Sequence, residues 1–339
     1  MLLQPVAPGE SDVFDRFVGG HLHGDPLQGT AFGDLQAAQG RAVHRFFLME
    51  QGRPVGSLSL MARTVGRLGL LLYAPRGPVL EPGRRLAWRR LSQELRERFP
   101  QAFAFACAPR LDERNPRPPG YLSRGLLPVA PQFARQAVEL PLSGDPDRDF
   151  GRMARRCRVQ VRRASAHGIR VREAGVEGIS AALGILPRRR AALWPLAATP
   201  AELGELIAAF AARGQARLFL AAAAGEDCAV SLALRLGRHG LCYHLADDGD
   251  SRRRAARYAT QWAAIAWCAA QGADRCDVTG LSAPGDAGSQ VLARRFGGLE
   301  RRYALLEVPL RLAPYIGYRL LARGISGGAD APDLLARAR

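Results

Sequence analysis

Apolar residues recur along this chain in short runs bounded by turn residues, and one order of runs occurs twice. Residues 46–77 (FFLMEQGRPVGSLSLMARTVGRLGLLLYAPRG) read as an apolar strand, a Gly-containing turn, a second strand ending near SLSL, a polar Gly-Arg turn and a third apolar strand. Residues 218–249 (LFLAAAAGEDCAVSLALRLGRHGLCYHLADDG) repeat that order, with SLAL in place of SLSL. A helix follows each copy. The first is predicted over about 83–98, made amphipathic by Leu86, Leu91 and Leu95; the second, over about 252–271, by Tyr258, Trp262, Ile265 and Ala269. Short apolar strands, AFAFACAP and RCDVTGL, close the two copies.

Three antiparallel strands, a helix and a further strand make an α/β (α+β) layer in which a mixed sheet is flanked by helices, not a solenoid. Its order is similar to the acyltransferase fold of the GCN5-related N-acetyltransferase (GNAT) type, here present twice in tandem. The Pro-, Gly- and Asp-rich stretch 141–150 (PLSGDPDRDF) is the predicted linker, giving domains over 1–143 and 144–309.

Charge adds a ligand class. Among 339 residues, 48 are basic and 31 acidic, for a net charge of +17, and every basic residue is arginine. Such a surplus attracts phosphate, whether on nucleic acid, a nucleotide or an anionic lipid surface. It is densest in residues 151–172 (GRMARRCRVQVRRASAHGIRVR), which hold eight arginines and no acid. Arg155, Arg158 and Arg162 share one face of a predicted helix that Gly168 ends before the strand IRVRE. A solvated face is one reading. Phosphate binding is the other, since no acid at i±4 offsets the charge and guanidinium suits bidentate phosphate contact.

Other chemistry is not signalled. Cys107, Cys157, Cys228, Cys242, Cys268 and Cys276 show no C-x-x-C or Cys/His ligand spacing, so they read as buried reduced thiols and no metal is expected. No G-x-S-x-G occurs, and His21, His23, His44, His167, His239 and His244 lack triad-like context. The phosphate-cradling turn of ordinary acetyltransferases, Arg/Gln-x-x-Gly-x-Gly/Ala between strand and helix, is absent from RGPVLEPGRR and DDGDSRRRAAR. No leader-like segment or run of about 20 apolar residues is seen, so a cytoplasmic location is expected. Asp277 ends the last strand of the second copy, where a carboxylate either holds or deprotonates an amine or caps the following loop.

Several segments, in order, resemble the FemABX family, the peptidoglycan-bridge aminoacyltransferases with tandem acetyltransferase-type domains. They are LLYAPRGPVLE (71–81), GLLPVAPQFARQAVELPLSGD (125–145), RVQVRRASAHGIRV (158–171), the stretch from YHLADDG to CDVTGL, VLARRFGGLERRYALLEVPL (291–310) and YIGYRLL (315–321). The resemblance implies that the chain after about residue 310 returns to the first domain. It implies transfer of an amino acid from aminoacyl-tRNA, as co-substrate, to the peptide amine of a UDP-linked or lipid-linked muropeptide, by a monomer with no metal or small cofactor. Peripheral contact with the inner membrane face would accompany a lipid-linked acceptor.

Carried over by position, Arg158, Arg162, Arg190 and Tyr243 fall on the acceptor side, and Arg294, Phe296, Gly297 and Gly298 on the donor side. Three charged family positions are missing: Gln36, Ala108 and Ala293 stand there. Either Arg294 replaces the lysine that the resemblance places at 293, although one helical step turns its direction by about 100°, or the donor is handled differently from the family. Phe296 reads as a core anchor, and the two glycines as a turn or a close backbone approach. Two other functions fit the same pattern: a GNAT-type enzyme acylating another amine from acyl-CoA or aminoacyl-tRNA, and a non-catalytic binding protein with a basic cleft.

Overall fold

The computed structural model describes residues 1–109, 136–186, 199–249, 255–279, 293–302 and 306–325. The chain divides into two units, Met1–Pro131 with Tyr303–Arg339, and Gln132–Arg302.

In the first unit, strands β2 (Ala42–Glu50), β3 (Arg53–Val65) and β4 (Gly69–Ala74) form the antiparallel meander that the sequence predicts. Helix α3 (Trp88–Arg98) crosses over to β6 (Ala102–Cys107), which pairs parallel to β4 from Leu70 to Ala74. Strand β1 (Leu2–Pro5) extends the sheet beyond β2, and the two-residue β5 (Val79–Leu80) pairs with β3. Helices α1 (Ser11–Gly20) and α2 (Thr30–Ala38) precede β2. One core cluster joins Phe46, Leu48 and Leu60 to Leu91, Leu95 and Phe105, so the apolar stripe of α3 packs as its spacing requires.

That helix starts at Trp88 rather than near residue 83. Gly83 takes a left-handed turn (φ +77°), and Arg84 is held by Glu81 and Glu50, which fixes the segment away from a helical path. The return of the chain also begins earlier than expected. Strand β14 (Leu306–Pro309) already pairs antiparallel with β6, and helix α9 (Leu312–Ile325) follows, with Tyr318 against Phe103.

A buried amide fixes the Pro-Arg-Gly-Pro turn after β4. Gln28 accepts from the Ser59 amide and donates to the carbonyls of Ser59 (3.0 Å) and Pro75 (2.5 Å). A Cβ on Gly77 would lie 2.3 Å from that side chain, so only glycine fits. Arg76 is 1% exposed, 3.8 Å from Asp25.

In the second unit, β8 (Arg170–Ala174), β9 (Ala216–Ala223), β10 (Glu226–Leu236) and β11 (His239–Asp247) run antiparallel in sequence order. After α8 (Ala256–Ala270), strand β12 (Arg275–Asp277) joins parallel to β11. Strand β7 (Gln136–Pro141) pairs antiparallel with β12, and β13 (Leu299–Arg302) with β7. The domain boundary therefore moves from 143/144 to the Pro131/Gln132 step, and the stretch 141–150 is not the linker. Pro141 pairs with Arg275, and Asp145 caps helix α4 (Pro146–Arg152) with Pro146 in its first turn. Its turn-forming residues are a helix start, which linkers and caps share at the level of composition. The remaining helices of this unit are α5 (Arg155–Ala166), α6 (Ile179–Ile185) and α7 (Pro200–Ala211).

Replacing Gln28 with Leu strands three buried backbone groups, each costing about 1–3 kcal/mol. Urea denaturation should show a loss of at least about 2 kcal/mol, and a smaller loss for Gln28→Glu would show that one retained acceptor matters.

Candidate functional site

The second unit contains an opening that the first lacks among the described residues. Parallel pairing of β11 with β12 covers only His239–Leu241 against Arg275–Asp277, while β11 runs on to Asp247. From Cys242 onward β11 keeps β10 on one side, and among the described residues no strand pairs with it on the β12 side. A strand edge exposed in this way is where an extended ligand adds itself as a surrogate strand. Gln261, from α8, donates to the Cys242 carbonyl (3.0 Å) at the first residue past the paired stretch.

A bulge lies in the open part. Val230 faces Ala246 and Ser231 faces His244, leaving Leu245 as an extra residue on β11. Bulges re-aim the side chains that follow them, and this one brings Asp247 onto His244. His244 Nε2 and Asp247 Oδ2 are 3.0 Å apart, and Arg257, in the first turn of α8, donates to the same carboxylate from Nε (2.9 Å) and Nη2. The hydrogen bond with His244, and then the Arg257 guanidinium, hold the Asp247 carboxyl well below the usual carboxylate range against the opposing effect of burial. This His–Asp–Arg cluster has no sequence signature, because the bulge that assembles it is invisible in a strand period.

Tyr243, buried, is the second residue past the paired stretch, and Asp277 is the last residue of β12 opposite Leu241. Asp277 Oδ1 accepts from the Thr279 amide (3.0 Å) and hydroxyl (2.6 Å), while Thr279 Oγ1 accepts from the Val138 amide. Of the two readings of Asp277, loop capping is the one these bonds display.

The arginine helix and the Phe-Gly-Gly turn come together. Phe296, 1% exposed, packs in one core cluster with Met153, Cys157 and Tyr258, as a core anchor does. Gly297 is left-handed (φ +87°), and a Cβ there would stand 3.4 Å from the Arg152 carbonyl, at the entry to α5. A Cβ on Gly298 would lie 2.6 Å from Val138 and 2.8 Å from the Glu139 carbonyl. Both the turn and the close approach are thus needed.

On α5, Arg158 donates to the Gly151 carbonyl (2.9 Å), and Arg162 lies 5.5 Å from the centre of the Phe150 ring. Arg155, Arg156 and Arg163 are exposed, and among the described residues no carboxylate pairs with them or with Arg158 and Arg162. Ala293 is buried; Arg294 pairs with Glu300 (2.8 Å), both half-exposed, and Arg295 donates to the Tyr258 hydroxyl. Arg295, rather than Arg294, is therefore the arginine of this pair that turns toward the helix layer. Arg190 lies outside the described residues.

Residues 151–288 match the family model described as an acetyltransferase (GNAT) domain. A comparison with curated proteins finds no match. Among solved structures, the crystal structure of FemX is 17% identical with a TM-score of 0.75, over 95% of this chain and 100% of that one. The C-terminal domain of a putative lysylphosphatidylglycerol synthetase from Agrobacterium fabrum is 12% identical (TM-score 0.53), over 94% and 96% of the two chains. A conserved protein of unknown function from Bacteroides thetaiotaomicron is 9% identical (TM-score 0.55), over 91% and 100%.

Three stability outcomes are expected. Gly298→Ala should cost about 1–3 kcal/mol by overpacking against Val138, and Phe296→Ala about 3–5 kcal/mol by opening a cavity, both read by urea unfolding. Asp247 has a lowered folded pKa, so its contribution is complete above the unfolded value of about 3.9 and is lost as pH falls through the folded value. Stability measured at neutral pH and at about pH 3 should fall more steeply for the native chain than for Asp247→Asn. With its matched acetyltransferase domain in the second unit, and the same meander–helix–strand order in the first, the chain has the FemX-like, tandem GNAT-type fold of acyltransferases.

Proposed function

We propose that this protein is an N-acyltransferase that moves an aminoacyl group from aminoacyl-tRNA to the peptide amine of a muropeptide. The observation that carries the reading is the surface around α5, where among the described residues five arginines have no carboxylate partner and the Phe-Gly-Gly turn seats against the helix entry. Unopposed arginines of this kind are matched by an external polyanion. The acceptor diphosphate or the tRNA end supplies that charge, with Arg158 and Arg162 on the acceptor side, and Arg295 joining Arg294 on the donor side.

The open edge of β11 takes the donor. The phosphate-cradling turn of acyl-CoA-dependent acetyltransferases is absent from the strand-to-helix segments, which supports an aminoacyl ester over acyl-CoA. The ester is already activated. The free amine attacks its carbonyl carbon, the amide forms, the bond to the ribose oxygen breaks, and the amine proton passes to that oxygen through solvent or a basic side chain. Positioning and oxyanion stabilisation supply the acceleration without a covalent enzyme intermediate. Tyr243 and Asp277 line the mouth of this edge, and we assign Asp277 the amine-holding role there.

Contact with a membrane face is supported by α9. Leu312, Ile316 and Leu320 are 66%, 48% and 61% exposed along one side of it. Arg311 and Arg67 are exposed nearby, the latter on the 66–68 turn where Leu68 meets Gly317. Among the described residues no helix is long and apolar enough to cross a membrane. Apolar residues rimmed by cations suit a helix lying in the interface plane.

Radiolabelled transfer from tRNA charged with Gly, Ala or Ser to UDP-linked and lipid-linked muropeptides tests the reading. Product with one donor is expected, and none with any of the three overturns it. Arg155→Ala with Arg156→Ala should weaken tRNA binding and flatten its salt dependence by about two counterions. Stabilisation in thermal shift by CoA but not by a UDP-muropeptide would instead assign an acyl-CoA donor.

A further inference from the structure

Three of the six cysteines meet at the closed end of the opening. Cys242 is on β11, Cys276 on β12 and Cys268 on α8, and all three are fully buried. The Sγ atoms of Cys242 and Cys268 are 3.7 Å apart, those of Cys242 and Cys276 2.9 Å, and all three lie within 4.8 Å of one another. Their positions are far apart in sequence and follow no ligand spacing, so only the parallel β11–α8–β12 crossover brings them together.

Two neighbours shape this cluster. Gly240 leaves the room: a Cβ there would stand 2.8 Å from the Cys268 sulfur and 3.3 Å from that of Cys276. Arg235 pairs across β10 with Gly240 and lies within electrostatic reach of Cys268. Its Nη1 donates to the Gly237 carbonyl, while its Nε is buried and has no hydrogen-bond partner among the described residues. A cation with a spare buried N–H within electrostatic reach of Cys268 suits the second sphere of a thiolate ligand.

We propose that Cys242, Cys268 and Cys276 form a three-thiolate site for one soft or borderline divalent metal ion of the zinc or cadmium class. Thiolate is the ligand such ions select. Zinc–sulfur bonds of about 2.3 Å place ligand sulfurs roughly 3.8–4.0 Å apart, which the Cys242–Cys268 pair already meets and Cys276 reaches by withdrawing about 1 Å. Binding is balanced: three S–H bonds break, three metal–sulfur bonds form, and three protons leave to solvent. The site then carries one net negative charge, which Arg235 offsets. An ion here fastens the two strands and the crossover helix where the strands begin to part. Because the thiols are buried, the ion enters as the chain folds. This assignment does not rest on the transferase reading.

The test is refolding of the reduced, full-length chain from denaturant with Cd2+ under anaerobic conditions. A sulfur-to-cadmium charge-transfer band that saturates at one ion per chain is expected. It should vanish in Cys268→Ala and Cys276→Ala and persist in Cys107→Ala, Cys157→Ala and Cys228→Ala. Since the first two variants are in the core, a cadmium-113 resonance of the native chain reads three sulfur ligands without any substitution. The bound ion should also raise the thermal midpoint. Absence of the band in a chain refolded to native circular dichroism, a band surviving in Cys268→Ala, or a resonance of one or two sulfurs overturns the site.

Discussion

The second unit depends on how briefly β11 and β12 remain paired. Three residue pairs hold them together, and six residues of β11 then continue, among the described residues, with a partner on one side only. A sheet interior does not tolerate an unpaired backbone without compensation. Here the compensation is local: Gln261 reaches the Cys242 carbonyl from α8, and the bulge at Leu245 twists the free portion. Everything with chemical potential in this unit is arranged about that parting. The thiol cluster lies at its closed end, Tyr243 and Asp277 at its mouth, and the His244–Asp247–Arg257 cluster beyond the bulge.

Charge and packing divide the labour in the basic region. The Phe-Gly-Gly turn is a packing device: Phe296 fills the core, and two missing side chains let the backbone approach Val138, Glu139 and the entry to α5. The arginines around it are not used for packing in the same way. Arg162 covers Phe150, which in turn contacts Trp262, but Arg155, Arg156 and Arg163 stay in solvent. Guanidinium keeps its charge throughout the physiological range, so this surface attracts anions regardless of pH and responds to salt instead.

The repeat was readable because it consists of local period and turn chemistry. Both meanders, the two crossover helices and the Gly168 helix stop follow from alternation, apolar spacing and glycine alone. The domain boundary was not, because Pro, Gly and Asp in 141–150 signal a turn without saying whether a linker or a helix cap follows. The candidate site was legible only in part. Phe296 and the two glycines behave as their residue types suggest, and Arg158 and Arg162 do share a helix. The surroundings of Arg294 were not legible: position 293 is buried, and the next residue meets Glu300, a partner six residues on that no local pattern marks. His244 was passed over because its partner is three residues away along a strand, on the opposite face until a bulge intervenes.

The first unit is discontinuous, and this has a consequence for synthesis. Strand β14 covers the edge of β6, yet it is made only after the entire second unit has been translated. Until then β6, a run of apolar residues, stands as an open sheet edge, while the second unit has all of its strands in one continuous stretch. Vectorial folding therefore favours completion of the later unit first, and leaves the earlier one as the part of the nascent chain most exposed to wrong strand partners.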